Sequence, residues 1–156
     1  MKNRKSTLIN VVIALLSVTV VGVVGRFLTD TNSAWFIALN KPTEFVPSIV
    51  FTIMWSLIYL CFAVVIFRLL QREQADPFTI TLLILTGVFQ WLWSLVYFRL
   101  HSLLLGLVML IVLLALAITL LTRLFKKDKL YLCLLAIYPM WLTLATFINL
   151  SLWAIN

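Results

Sequence analysis

The stretch from Trp35 to Tyr59 reads WFIALNKPTEFVPSIVFTIMWSLIY and joins a polar loop to a long apolar segment. Its first half contains a tryptophan–phenylalanine pair, a Lys41-Pro42 corner and a second proline, Pro47. Its second half has no charged residue, and its rings at Phe51, Trp55 and Tyr59 recur every fourth position, which places them on one helix face. The stretch therefore predicts a membrane helix with an aromatic face, preceded by a loop that can cover it.

The composition of the whole chain is that of an integral membrane protein. Of its 156 residues, 64% are hydrophobic and 11% are charged, whereas a soluble domain carries about 25% charged residues. The charges leave five uncharged runs, at residues 6–25, 45–67, 77–98, 102–122 and 130–156. Because a helix crosses a bilayer with about 20 apolar residues, each run can cross once. We expect one all-α domain over residues 1–156, folded as a bundle of five transmembrane helices.

The helices are predicted at about residues 7–27, 47–68, 77–98, 102–123 and 130–154, with an external lid loop at 28–46. The basic N-terminus followed by an apolar run resembles a signal peptide. The run is longer than usual and no cleavage motif follows, so it is interpreted as the first helix. Asp76 and Pro77 are typical of a helix start, and Ser102 is placed to cap the next helix.

The basic residues indicate how the chain crosses the membrane. If the five spans alternate, nine of the twelve basic residues share a side with the N-terminus, and three lie on the other side. The nine are Lys2, Arg4, Lys5, Arg68, Arg72, Arg123, Lys126, Lys127 and Lys129, and the three are Arg26, Lys41 and Arg99. The positive-inside rule then predicts a cytoplasmic N-terminus, an external C-terminus and an external lid loop. The net charge of +7 predicts orientation in the bilayer and not nucleic-acid binding, because no soluble basic face is available.

Two further spans carry polar or aromatic faces. In the third, Gln90, Trp93, Ser94 and Tyr97 are spaced as one face, which should point into the bundle because a glutamine in hydrocarbon is costly. In the fifth, a second such face is formed by Tyr138, Trp141, Ala145 and Asn149.

Residue counts predict that these faces meet. Counted from the external span ends at about 1.5 Å per residue, Trp55, Gln90 and Asn149 lie at similar depths of about 8 to 12 Å, and Trp141 lies deeper. The expected result is an aromatic cavity with a few polar groups beneath the lid loop, which is typical of a small-molecule site. Tryptophan and tyrosine also anchor spans at membrane interfaces, and buried amides also tie helices together. That alternative suits residues near span ends, such as Trp35, Trp93 and Trp153, better than Trp55 and Trp141.

Three motifs on these segments resemble the TspO/MBR family of tryptophan-rich sensory and translocator proteins. The loop matches W-[YF]-x-x-L-x-K-P. QWLWSLVYF is similar to N-x-x-W-S-x-x-F-F, and WLTLATFINLSLW is similar to W-x-x-x-A-T-x-x-N-x-x-x-W. The motifs occur in the family's order on three of the five spans.

The resemblance implies a bacterial membrane protein, commonly a homodimer, that binds porphyrin or haem-type tetrapyrroles as a sensor, regulator or carrier. In some members sterols and isoquinoline or benzodiazepine drugs also bind. Together, the resemblance and the helix faces predict ligand-binding residues at Trp35, Phe36, Phe51, Trp55, Tyr59, Gln90, Trp93, Tyr138, Trp141, Ala145 and Asn149, and lid residues at Lys41, Pro42 and Pro47.

The sequence departs from the family pattern in four places. Glu44 or Phe45 replaces a tryptophan and Val46 a proline, which should change the fit of the lid. Gln90 stands where asparagine is usual, and Tyr138-Pro139 inverts the family's Pro-Tyr. The C-terminus lacks the Tyr and Arg of the animal sterol motif, so sterol binding is not supported.

Other function classes find little support in the sequence. A transporter of aqueous solutes would show intramembrane carboxylates or repeats, whereas a transporter of hydrophobic or amphipathic solutes stays open as an alternative. His101 is the only histidine and lies in a loop, so we expect no hydrolytic or metal chemistry and no obligatory cofactor. Light- or oxygen-driven porphyrin breakdown is implied only by the resemblance. Cys61 and Cys133 fall inside spans and predict packing, not a disulfide.

Overall fold

The chain folds into long helices joined by short links. The computed structural model describes residues 4–42 and 46–156, and these ranges contain no strand. The helices are α1 (Arg4–Leu28), α2 (Ala34–Ala38), α3 (Ser48–Gln71), α4 (Pro77–Ser94), α5 (Leu103–Phe125), α6 (Leu130–Leu135) and α7 (Ile137–Ile155), and a π-helical turn (Leu95–Arg99) follows α4. Within the described ranges, five segments are long and apolar enough to cross a membrane: α1, α3, α4 with its π turn, α5, and α6 with α7. The prediction of an all-α, five-span membrane protein is confirmed.

The five spans are arranged in a ring. α1 packs against α3, α3 against α6 and α7, α7 against α5, α5 against α4, and α4 against α1. Most of the core comes from α3, α4, α5 and α7, whereas α1 buries only Ala14 and Gly25. The first helix therefore lies at the edge of the bundle, against α3 and α4, and contributes little to the core.

The two ends of the bundle differ in chemistry. The lid end carries the lid loop, the link from the π turn to α5, and Asn156. The basic end carries the start of α1 and the links at residues 72–76 and 126–129. These two names are used for the ends from here on.

Three local features differ from the unbroken spans and the lid loop expected from the sequence. Pro139 has no N–H to donate to the carbonyl of Leu135, and the fifth span is broken at Ala136 into α6 and α7. The third span ends in a π turn, where the Leu100 N–H donates to the Leu95 carbonyl at 3.0 Å. The lid loop contains the short helix α2, whose Phe36 N–H donates to the Ser33 hydroxyl at 3.3 Å.

Side-chain caps begin two of the spans as the sequence predicts. Asp76 accepts from the Thr79 N–H at 3.1 Å and starts α4, with Pro77 in the first turn. Ser102 accepts from the Leu105 N–H at 3.3 Å and starts α5. Both caps direct the chain back into the bundle after a short link.

An ionic network ties the links of the basic end together. Asp76 accepts from the guanidinium of Arg123 at 2.8 Å and from the ammonium of Lys127. Hydrogen bonds from Lys127 and then from Thr79 hold the pKa of Asp76 well below its usual range. Asp128 pairs with Arg68 and Arg72, and its pKa is also lowered, chiefly by the backbone N–H of Leu130. The network fixes the start of α4 against the end of α5.

Candidate functional site

Trp55 is the centre of an aromatic cluster that joins three helices. Its ring centroid lies 5.8 Å from Tyr59 on the same helix, 6.4 Å from Trp93 on α4 and 6.4 Å from Tyr138 on α7. The Trp55 and Tyr59 rings are stacked, with their planes inclined by 29°, and this aromatic pair is called the aromatic wall. Residues from the predicted faces of α3, α4 and α7 are thus in contact in the structure.

Trp141 lies at a different depth along the bundle from the one that residue counting predicts. Its ring packs edge-on against Phe51, with centroids 5.1 Å apart, one turn closer to the start of α3 than Trp55. It is therefore not deeper than Trp55. The count fails because the C-terminus of α7 extends past the first turn of α3: the side-chain amide of Asn156 reaches Asn40 in the lid loop.

Asn149 and Ala145 follow Trp141 on the same face of α7, and both are buried. Asn149 lies beside α5, because its Nδ2 is only 3.1 Å from the point that a Cβ on Gly106 would occupy. The same point lies 2.8 Å from Cδ2 of Tyr97 in the π turn. Asn149, on α7, therefore lies against both α5 and the π turn.

Several polar atoms in this region are buried and have no hydrogen-bond partner among the described residues. They are Gln90 Oε1, Trp93 Nε1, Trp141 Nε1, and both Oδ1 and Nδ2 of Asn149. A buried polar group without a partner costs about 1 to 3 kcal/mol, and ordered water commonly satisfies such groups. The hydrogen-bonding capacity of these atoms is unused among the described residues.

The lid loop is closed over the π turn by aromatic contacts. Trp35 packs edge-on against Tyr97 at 5.8 Å and stacks on His101 at 4.7 Å. Phe36 contacts Tyr97 and Phe98 at 6.5 and 5.6 Å. These rings fill the space directly below the lid loop, where the sequence analysis placed the ligand.

Polar contacts hold the lid loop in place. The Lys41 ammonium donates to the Phe36 carbonyl at 2.8 Å, which satisfies the C-terminus of α2. Arg99 donates to the Phe27 carbonyl at 2.7 Å and pairs with Asp30 at 3.5 Å. Of the other predicted lid residues, Pro42 is half-buried and Pro47 is the exposed N-cap of α3. Glu44 and Phe45, where the family tryptophan is replaced, lie outside the described residues.

A long cleft lies beside the aromatic cluster, between α1, α3 and α4. Its volume is about 690 Å³, and its lining residues come from within 13–21 of α1, 55–70 of α3 and 75–91 around α4, together with Tyr138. From Trp55 to Leu70 it extends about 22 Å along α3. No Lys, Arg, His, Asp or Glu of the described chain is among the lining residues.

The cleft is open on the side of the bundle between α1 and α4. The two helices meet where the Trp91 indole donates to the Val21 carbonyl at 3.0 Å, beside Gly87. Nearer the basic end, the exposed side chains of Leu16 on α1 and of Ile80 and Ile84 on α4 line the cleft from its two sides. Because these side chains would face lipid in a membrane, the cleft faces the bilayer and not the lid.

The predicted site residues therefore fall into two groups. Trp55, Tyr59, Gln90 and Tyr138 line the cleft. The remaining predicted residues pack in the closed region nearer the lid end: Trp35, Phe36, Phe51, Trp93, Trp141, Ala145 and Asn149. A second cavity, of about 530 Å³, lies at the lid end between Trp35, His101 and Trp153.

Sequence reasoning missed the contribution of α1 and of the second face of α4. Trp91 is not among the residues that the sequence analysis singles out. The available signal was that Gly87 and Trp91 are one turn apart, which gives α4 a face with a small residue beside a hydrogen-bond donor. Within the described residues, no group of three His, Cys, Asp or Glu side chains is placed to hold a metal ion.

Comparison with known proteins places the chain in a family. The sequence pattern of the TspO/MBR family matches residues 13–154. A protein of Archaeoglobus fulgidus named Tryptophan-rich protein TspO is 25% identical over 151 residues, which are 96% of this chain and 98% of that protein. Protein CrtK of Rhodobacter capsulatus is 25% identical over 126 residues, 79% of each chain. Because the family match extends from within α1 to the last turn of α7, the chain belongs to the TspO/MBR family.

Proposed function

We propose that this membrane protein binds porphyrin-type tetrapyrroles in the cleft, with the macrocycle against Trp55, Tyr59 and Tyr138, and that it acts as a sensor, regulator or carrier of them. The observation that carries the proposal is an aromatic wall bordering an apolar cleft of about 690 Å³. Small-molecule sites commonly have volumes of about 300 to 1,000 Å³, mostly apolar lining and a few polar groups. The cleft has each of these properties.

The aromatic wall suits a flat conjugated ligand. The Trp55 and Tyr59 rings are stacked with their planes inclined by 29°, and Tyr138 meets Trp55 edge-on at 63°. Each stacked aromatic pair contributes about 0.5 to 1.5 kcal/mol beyond simple burial. A flat macrocycle that stacks on a ring of the aromatic wall gains this contribution.

The lateral opening supports access from the bilayer. A tetrapyrrole that partitions into the membrane can reach Trp55 between α1 and α4 without displacing the aromatic contacts of the lid loop. The same opening favours a second candidate function, binding or transport of other hydrophobic or amphipathic solutes, including isoquinoline and benzodiazepine drugs. We further propose that the protein resides in a bacterial cell membrane and forms homodimers, as the family resemblance implies.

Titration of the purified protein in detergent with protoporphyrin IX, followed by porphyrin fluorescence anisotropy, tests the proposal. We expect Trp55→Leu to weaken binding about two- to twelvefold, from the loss of one stacking ring. The sequence predicts the same loss for Trp141→Leu. The cleft location predicts a smaller effect there, because Trp141 does not line the cleft.

Trp153→Leu is the matched control, because Trp153 is exposed at the lid end and should leave binding unchanged. Circular dichroism verifies that each variant is folded. Parent-like binding by a folded Trp55→Leu protein would exclude the cleft as the porphyrin site. Displacement of porphyrin by a drug-type ligand would show that the two classes share one site.

A further inference from the structure

We propose that the half of the cleft nearest the basic end binds one acyl chain of an anionic phospholipid, whose headgroup lies among the basic residues of that end. This site goes beyond the proposed function, because it takes a different ligand in the part of the cleft away from the aromatic wall. Three properties of the cleft carry the inference: where it opens, what lines it, and which charges lie at its end.

The opening of the cleft lies in the half nearest the basic end. Toward the lid end, α1 and α4 are joined where the Trp91 indole donates to the Val21 carbonyl at 3.0 Å. Toward the basic end, the exposed side chains of Leu16 and Ile80 line the cleft from its two sides. A molecule that enters sideways therefore comes from the bilayer leaflet on the basic side, where the surrounding molecules are phospholipids.

The length of the cleft is sufficient for an acyl chain of that leaflet. The hydrocarbon of one leaflet is about 15 Å thick, half of the bilayer core, and corresponds to about ten residues of helix. Counted from Leu70 along α3, this length ends near residue 60, and Tyr59 and Trp55 lie beyond it. An acyl chain can therefore lie along α3 as far as the aromatic wall.

The lining of this half is apolar and suits a hydrocarbon chain. Its side chains include Phe62, Ile66 and Leu83. The Ser17 hydroxyl, which also lines the cleft, already donates to the Ile13 carbonyl at 2.8 Å. Because the bilayer interior is as apolar as this lining, hydrocarbon contact alone does not favour the cleft over bulk lipid. Selection of one lipid must therefore come from its headgroup.

Basic residues at the end of the cleft can supply that selection. At the basic end, the described residues include eight Lys or Arg and three Asp or Glu, which leaves an excess of five positive charges. Asp76 and Asp128 each pair with two basic side chains, so the acidic residues do not neutralise this end. Clusters of basic residues beside a membrane span attract anionic lipid headgroups.

The first turn of α1 places Arg4 and Lys5 beside the end of the cleft. Two residues after Lys5, the Thr7 hydroxyl accepts from the side-chain amide of Gln71 at 3.0 Å. Gln71 directly follows Leu70, which lines the cleft. Arg4 and Lys5 are both exposed. We therefore expect these two residues to contact the headgroup.

Native mass spectrometry of the purified protein in detergent tests the inference, with dioleoyl phosphatidylglycerol and dioleoyl phosphatidylcholine as the two lipids. Both lipids carry the same acyl chains, so their comparison isolates the net charge of the headgroup. We expect one phosphatidylglycerol per protein chain to bind about five- to thirtyfold more tightly than phosphatidylcholine, which is the effect of one or two basic residues near the headgroup. No porphyrin is added, so the result does not depend on the proposed function.

Variants without these charges locate the headgroup. The double variant Arg4→Gln/Lys5→Gln should bring the affinities for the two lipids to within about a factor of two. Lys126→Gln/Lys129→Gln is the matched control, because it removes the same charge from two exposed residues of the basic end. These two residues lie between α5 and α6, which do not line the cleft, so the preference for phosphatidylglycerol should persist.

A variant that fills the opening locates the acyl chain. Ser17→Phe places a ring in the cleft and should weaken phosphatidylglycerol binding about fivefold or more, from the cost of overpacking. Ser56→Phe is the matched control. Ser56 is also an exposed serine whose hydroxyl donates four residues back, to the Thr52 carbonyl at 2.8 Å, but it does not line the cleft. Its affinity for phosphatidylglycerol should equal that of the parent.

Equal affinities of the parent for the two lipids would overturn the inference, and so would an equal loss of preference in the two charge variants. Parent-like binding by a folded Ser17→Phe protein, or equal weakening by Ser17→Phe and Ser56→Phe, would exclude the cleft as the site of the chain. Circular dichroism verifies that each variant is folded, and if Ser17→Phe is not, the two charge variants still decide. The porphyrin titration of Trp55→Leu is independent of all these results.

Discussion

At Gly106, α5 packs closely against α7 and the π turn. A Cβ there would lie 2.8 Å from Cδ2 of Tyr97 and 3.1 Å from Nδ2 of Asn149, both on buried side chains. We therefore expect Gly106→Ala to destabilise the bundle by about 1 to 3 kcal/mol, the usual cost of overpacking a core. The thermal unfolding midpoint in detergent, followed by circular dichroism, should fall by several degrees.

Gly25→Ala is the matched control for this prediction. It adds the same methyl group to another buried helical glycine, but its Cβ would meet only the Tyr59 hydroxyl, at 3.9 Å. Its midpoint should stay close to that of the parent, or rise slightly, because alanine favours a helix more than glycine does. Equal losses for the two variants would show that the contacts of Gly106 are not the cause.

For single residues, the sequence predicts which side chains face the core better than it predicts their depth along the bundle. Periodicity correctly assigns Gln90, Trp93 and Tyr138 to buried faces, because a helix determines which side chains share a face. The level of Trp141 depends on how far α7 extends past α3, which is set by tertiary contacts such as that of Asn156 with Asn40. No local pattern encodes that offset.

Among the elements, the lid loop is the one held chiefly by a few specific contacts. The Asn156 side chain accepts from the Asn40 N–H at 2.9 Å and donates to the Asn40 carbonyl at 3.0 Å. Asn156→Ala removes both hydrogen bonds. We expect faster amide hydrogen exchange at Asn40 and little change within α3 or α7, because local opening follows the loss of local contacts.

Asn32→Ala is a suitable comparison, because Asn32 is an exposed asparagine of the same loop whose backbone N–H, not its side chain, bonds to Asp30. It should leave exchange at Asn40 unchanged. If Asn156→Ala has no effect on exchange at Asn40, the aromatic contacts of Trp35 and Phe36 are sufficient to hold the loop.

Among the helices, the sequence predicts some irregularities and not others. Pro139 allows a break in the fifth span to be anticipated, because proline removes a backbone donor. The π turn at Leu95–Arg99 has no such marker, since nothing in LVYFR excludes an ordinary helix, and the turn depends on packing Tyr97 and Phe98 into the core together. The cleft could not be predicted either, because it depends on where α1 and α4 separate along their length.

For the whole molecule, the ionic network of the basic end predicts sensitivity to acid. The pKa of Asp76 in the folded state lies below its ordinary value of 3.8, so its pairing with Lys127 and Arg123 stabilises the fold fully above that value. The contribution is lost as the pH falls below about 4 toward the folded pKa. We expect the parent's thermal midpoint to drop in this range, and Asp76→Asn to have a lower midpoint at pH 7 with a smaller further drop. Identical pH profiles for parent and variant would show that the network does not govern acid stability.

The orientation of the molecule follows from the distribution of the same basic residues between the two ends. Nine of the twelve lie on the side of the N-terminus in a five-span topology, and those described in the structure cluster at the basic end, whereas Arg26, Lys41 and Arg99 lie toward the lid end. Basic residues near span ends are retained in the cytoplasm, so the lid end and Asn156 should lie outside. Alkaline phosphatase fused after Asn156 should be active in bacterial cells, and a fluorescent protein that folds only in the cytoplasm should be dark at the same site. The reverse pair of results would invert the topology and place the lid end in the cytoplasm.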